Sequence, residues 1–150
     1  MPTKKTPKKI RPRSSVTVQR TGSGAPPAGL LRRFALAAAP ARTAITLRVA
    51  GAAEGKRLNG KFRGKNYATN VLSFPYGRGS GDIVLCHPVI AKEAKRQGKS
   101  LRAHYAHLVV HGILHLRGHD HLRKNDASRM ERMEIRILRR LGFEDPYTVK

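Results

Sequence analysis

Between Val110 and Leu122 the chain reads V-H-G-I-L-H-L-R-G-H-D-H-L, and four of these thirteen residues are histidines. His111 and His115 are four apart, which on an α-helix sets them one above the other on a single face. Two imidazoles so placed can bind one metal ion from one side, at ~2.0–2.1 Å each for zinc. Gly118 can take the left-handed conformation that ends a helix without a Cβ penalty. A chain turning there brings His121 round as a third ligand. Three protein ligands leave one tetrahedral position open, as in a catalytic rather than a structural zinc site, and no cysteine lies nearby to close it. His119 competes for the third position; the spacing favours His121.

The H-x3-H-x5-H spacing is also that of the metzincin proteases, H-E-x-x-H-x-x-G-x-x-H. Their general-base glutamate falls at position 112, which here is Gly112, and that argues against peptide hydrolysis. Histidines on a helix are more often solvated or hydrogen-bonded than ligands. The third histidine, the intervening glycine and the lack of cysteines tip the reading to a metal. His104 and His107, upstream on the same stripe, read as hydrogen-bonded or supporting histidines. Asp120 has two readings, as a base or as the carboxylate that holds a ligand imidazole by its other nitrogen; the second is favoured. A metal hydroxide is the alternative base. Arg63, in the basic turn Arg63-Gly64-Lys65-Asn66, could grip a phosphate through two parallel hydrogen bonds. On its own it reads as one surface charge among many.

These residues need elements to position them. Ser100 is a plausible N-cap for a helix to about Arg117 that carries the histidines beside an apolar stripe of Leu101, Tyr105, Leu108, Gly112 and Leu116. A short helix is expected over Leu30–Ala39, stopped by Pro40, and another over Ala52–Asn59, ended around Gly60. Thr43–Val49 alternates as a strand with one buried face. Thr69–Phe74 is a second strand, followed by a glycine-rich loop from Tyr76 to Gly81. Ile83–Cys86, continuously apolar, is a third strand buried on both faces. Pro88 suits the first turn of a helix that Gly98 stops. Ser128 and Glu131 have the form of a capping box for a last helix to about Leu141, whose buried face is Met130, Met133, Ile137, Leu138 and Leu141.

The chain has 150 residues, with 31 basic against 9 acidic and a net charge of +22. Such a field points to a partner rich in phosphate, nucleic acid before an anionic membrane surface. One cysteine excludes an internal disulfide and fits a reducing, cytoplasmic setting. No apolar stretch is long enough to span a membrane. Met1 to Arg20 holds seven basic residues and no acid, and is expected to be a disordered arm. The expected division is an arm and linker over residues 1–29 and a single domain over residues 30–150.

With these residues in place, the chain resembles the YbeY family of bacterial rRNA maturation factors, which are metal-dependent endoribonucleases. The likeness rests on L-N-G-K-F-R-G-K-N-Y-A-T-N-V-L-S-F-P from Leu58, G-D-I-V-L from Gly81 and A-H-Y-A-H-L-V-V-H-G-I-L-H-L-R-G-H-D-H from Ala103, with L-G-F-E-D-P-Y near the C-terminus. The resemblance implies a mixed α/β (α+β) fold, a small sheet of about four strands packed by helices. It implies one zinc on His111, His115 and His121, and makes Arg63 the match to the family's functional arginine. It further implies a role in small-subunit rRNA 3′-end maturation and quality control, and ribosomal proteins as partners. In-line attack on RNA, by water or by the 2′-hydroxyl, needs a flexible backbone, so the expected substrate is single-stranded or locally opened. A metallopeptidase and a non-catalytic ribosome-binding factor with a structural zinc are the alternatives. Three departures stand out: histidine at 119 where the family favours an aromatic, Leu122-Arg123-Lys124 where it tends to acids, and Lys/Arg-rich first twenty residues that are not typical of it.

Overall fold

The computed structural model describes residues 14–118 and 124–148. Among them run β1 (Ser15–Arg20), α1 (Ala28–Ala38), β2 (Ala44–Ala50), α2 (Ala52–Arg63), β3 (Val71–Gly77), β4 (Ser80–Cys86), α3 (His87–Gln97), α4 (Leu101–Leu116) and α5 (Lys124–Arg140). The strands form one sheet in the order β1-β2-β4-β3. The β1/β2 and β2/β4 pairs are parallel, and β3/β4 is antiparallel. This is the mixed α+β fold expected.

Burial explains the arrangement. Ile83, Val84, Leu85 and Cys86 are all buried, as a central strand covered on both faces requires. Ile83 and Leu85 join Ile45, Leu47 and Val49 under α1 and α4. Ala50, Leu72 and Val84 form a smaller cluster on the other face, with Leu58 of α2 packed against it. Helix α4 is apolar nearly all round, because α1, α3, α5, β3 and β4 all pack against it. Ser100 caps it as expected, accepting from the Ala103 N–H at 3.0 Å. Gly118 follows it with φ +91°, its N–H bonded to the His115 carbonyl at 2.9 Å.

Several expectations need correcting. Residues 15–20, read as part of a disordered arm within 1–29, form β1, in register with β2 from Ser15↔Ala44 to Arg20↔Val49. The physical reason is the alternation of Val16 and Val18, which pack against the main core. The rest of the arm, residues 1–13, lies outside the described residues. Helix α2 runs past Gly60 to Arg63 and is capped by Gly64 at φ +66°, so Arg63 ends a helix instead of sitting in a turn. The Tyr76–Gly81 loop is a tight hairpin, since β3 continues to Gly77 and β4 starts at Ser80. Helix α5 begins at Lys124, which puts Ser128 inside it and removes the capping box.

Two glycines set how closely α4 lies on the sheet. A Cβ on Gly112 would stand 3.1 and 3.2 Å from the Ile83 side chain. A Cβ on Gly81 would collide with the Phe74 carbonyl and stand 2.7 Å from Leu116 Cδ2. Gly81→Ala is therefore expected to destabilise the fold by about 1–3 kcal/mol. Urea denaturation checks this: the midpoint should fall with the slope unchanged, and an unmoved midpoint would show that the hairpin has room for a methyl group.

Candidate metal centre

Helix α4 presents His104, His107, His111 and His115 at spacings of three and four, toward α3 and α5. His104 is buried and pairs its Nε2 with Glu93 Oε1 of α3 at 2.9 Å. Burial lowers its pKa, against the raising influence of Glu93. Asn70 donates to the same Glu93 oxygen at 3.0 Å, which ties the segment before β3 to α3.

Two of the others, His107 and His111, meet one carboxylate. Glu134 of α5 is fully buried, in the apolar stripe between Met130 and Leu138. Its Oε2 lies 2.7 Å from His107 Nε2 and accepts from the Tyr147 hydroxyl at 2.8 Å; its Oε1 lies 3.0 Å from His111 Nδ1. Burial by itself would raise the Glu134 pKa, but the hydrogen bonds from His107 and His111 and their charges outweigh it and bring it down to about 2. With both oxygens accepting hydrogen bonds, the group is held as an anion. The Tyr147 hydroxyl is pushed the other way, first by burial and then by the Glu134 charge beside it.

An ionised carboxylate only accepts, so each partner must donate. His111 therefore places its proton on Nδ1, which leaves Nε2 as its ligand atom. That Nε2 lies 3.0 Å from His115 Nε2. Two nitrogens at ~2.0–2.1 Å from a shared tetrahedral zinc would stand about 3.3 Å apart, so the pair fits an ion with little adjustment. A second grouping is also close: ligand atoms of His107, His111 and Glu134 lie within 4.8 Å of one another and could hold a metal ion. A cavity of about 340 Å³ between α4 and α5 is lined by His111, Met130, Glu131, Glu134 and Tyr147.

Of the residues singled out in the sequence, His111 and His115 are brought together. His119, Asp120 and His121 lie outside the described residues. Arg63 is exposed at the end of α2, whose main packing partners are β4 and α3, and among the described residues it has no ion-pair partner. Gly112, at the protease base position, faces Ile83 in the core. The sequence reading missed Glu134 and Tyr147. The available signal was a glutamate set inside the apolar stripe of the last helix.

The family model described as Endoribonuclease YbeY matches residues 30–142. Endoribonuclease YbeY of Aromatoleum aromaticum is 50% identical over 143 residues, covering 90% of this chain and 93% of the relative. The Polynucleobacter asymbioticus protein of the same name is 50% identical over 122 residues, 79% of each chain. The solution structure of a Thermotoga maritima protein superposes with a TM-score of 0.57 at 24% identity, covering 89% of this chain and 99% of that one. At that identity the likeness is one of fold. With a family model spanning most of the chain and relatives at half identity, the chain belongs to the Endoribonuclease YbeY family.

Proposed function

We propose that the chain is a zinc-dependent endoribonuclease that cuts single-stranded RNA and serves in 3′-end maturation of small-subunit rRNA on the ribosome. The observation that carries this reading is the His111–His115 pair, with Nε2 atoms 3.0 Å apart, one of whose rings is held from behind by a buried carboxylate at 3.0 Å. The relatives are named as endoribonucleases. His111, His115 and His121 would hold one zinc. The Nε2 side of His111 is preferred to the side shared with His107 and Glu134. There the nitrogen–oxygen separations of 2.7 and 3.0 Å are those of direct hydrogen bonds to a carboxylate, and the carboxylate–histidine–metal order is a recurrent arrangement.

When bound, zinc lowers the pKa of a water toward ~7 and polarises a phosphoryl oxygen. The chain's own residues do the rest. Glu134 fixes the His111 tautomer and ring. Arg63 binds the phosphate and stabilises charge that develops on it. Asp120 orients a ligand imidazole. No glutamate base serves from position 112: the Cβ there meets Ile83, so a longer side chain would enter the core.

His111→Ala should lose both bound metal and RNA cleavage, measured side by side by metal analysis and a gel assay. Glu134→Gln keeps the shape but loses the anion, and should weaken metal binding by about 10–100-fold, read by competition with a chelating dye. Arg63→Ala should lower kcat by about 10²–10³-fold with metal content and thermal midpoint unchanged. An Arg63→Ala chain that cleaves at full rate would favour a binding factor with a structural metal.

A further inference from the structure

The face of α5 opposite Glu134 has no part in the site. The helix packs on α4, with Met130, Glu134, Ile137 and Leu138 buried. At 100° per residue, the arc turned to solvent carries Ser128, Arg129, Arg132, Arg136, Arg139 and Arg140, all exposed. Five of these six are arginines, and none is a lysine or an acid. Glu131, the one exposed acid among the described residues of α5, stands at the border, beside the cavity that His111 lines. Among the described residues none of the five arginines has an ion-pair partner. Arg132, Arg136, Arg139 and Arg140 surround a surface hollow of about 470 Å³.

Like charges three and four apart on a helix repel, and this arc has four such pairs: 129/132, 132/136, 136/139 and 136/140. Arg139 and Arg140 sit in the last turn, where the helix dipole favours them, but no ion pair among the described residues relieves the row; an external polyanion would. Arginine's planar fork matches phosphate oxygens two at a time. The row is about 16 Å long at 1.5 Å per residue, enough to meet several phosphates. A lipid surface fits less well, since interfacial helices insert an apolar face and the apolar face of α5 is covered by α4.

We propose that the arginine arc of α5 is an exosite that grips the phosphate backbone of RNA, so that the strand cut at the histidines is held through a neighbouring segment. This rests on RNA being the substrate, as proposed above. The test is Arg132→Gln/Arg136→Gln/Arg139→Gln/Arg140→Gln. Binding of a stem-loop RNA is followed by fluorescence anisotropy across salt, in a His115→Ala background where nothing is cut. Affinity at low salt should fall at least ~10-fold, and the slope of log K against log salt should become shallower by about 2–4. Lysine at the same four positions should restore the slope. The thermal midpoint should hold or rise, because repulsion is relieved. With His115 intact, the four-glutamine chain should cut a short single strand at an unchanged kcat but show a raised KM for the stem-loop. Unchanged binding and slope overturn the exosite, as does a loss of binding to phosphatidylglycerol vesicles with RNA binding intact. If the unaltered chain cuts no RNA, the ribonuclease reading fails while the binding series still decides the exosite.

Discussion

A buried carboxylate in a helix–helix interface is the constraint on which the site depends. Glu134 has almost no contact with water, and an isolated charge there would cost several kcal/mol. It is tolerated because both oxygens are engaged, by His107 and Tyr147 on one side and His111 on the other. Those bonds join α4, α5 and the C-terminal segment at one point. They also decide chemistry, since the proton they require on His111 Nδ1 leaves the opposite nitrogen aimed at His115.

The sheet supplies the other constraint. Helix α4 approaches β4 closely because Gly112 and Gly81 have no side chain to hold it off. That approach buries the face of α4 holding Val109, Gly112 and Ile113 and leaves the histidine stripe turned toward α3 and α5. Most positions on α4 are thus committed either to the core or to the polar network. Position 112 is a core position, so the difference from the protease pattern is a packing requirement as much as a chemical one.

How much of this could be read from the sequence follows from how local each signal is. The capping serine at 100, the turn at Gly118, the proline opening α3 and the apolar run of β4 are short-range patterns, and all appear in the structure. The His111–His115 pair was legible for the same reason, being one turn of helix. Strand β1 was missed because two valines in a basic stretch make a faint alternation; their burial under α1 gives them meaning. Glu134 was missed because its role needs two elements far apart in sequence. Read alone, it is one polar residue among apolar ones on a helix. Only the packing of α5 on α4 turns it into a partner for imidazoles more than twenty positions away. Arg63 is the reverse case: its place at the end of α2 could not be read from a run of glycines and basic residues that resembles a turn.

Strand β3 lies at the rim of the sheet, next to β4 alone. It carries Pro75, which has no N–H to offer, and its pairing slips between Pro75 and Gly77. Rim strands with an uninterrupted row of donors and acceptors recruit foreign chains into longer sheets, and prolines and bulges are among the devices that prevent this. A neighbouring strand laid along this rim would lose register after a few residues, so this edge is a poor template for a growing sheet.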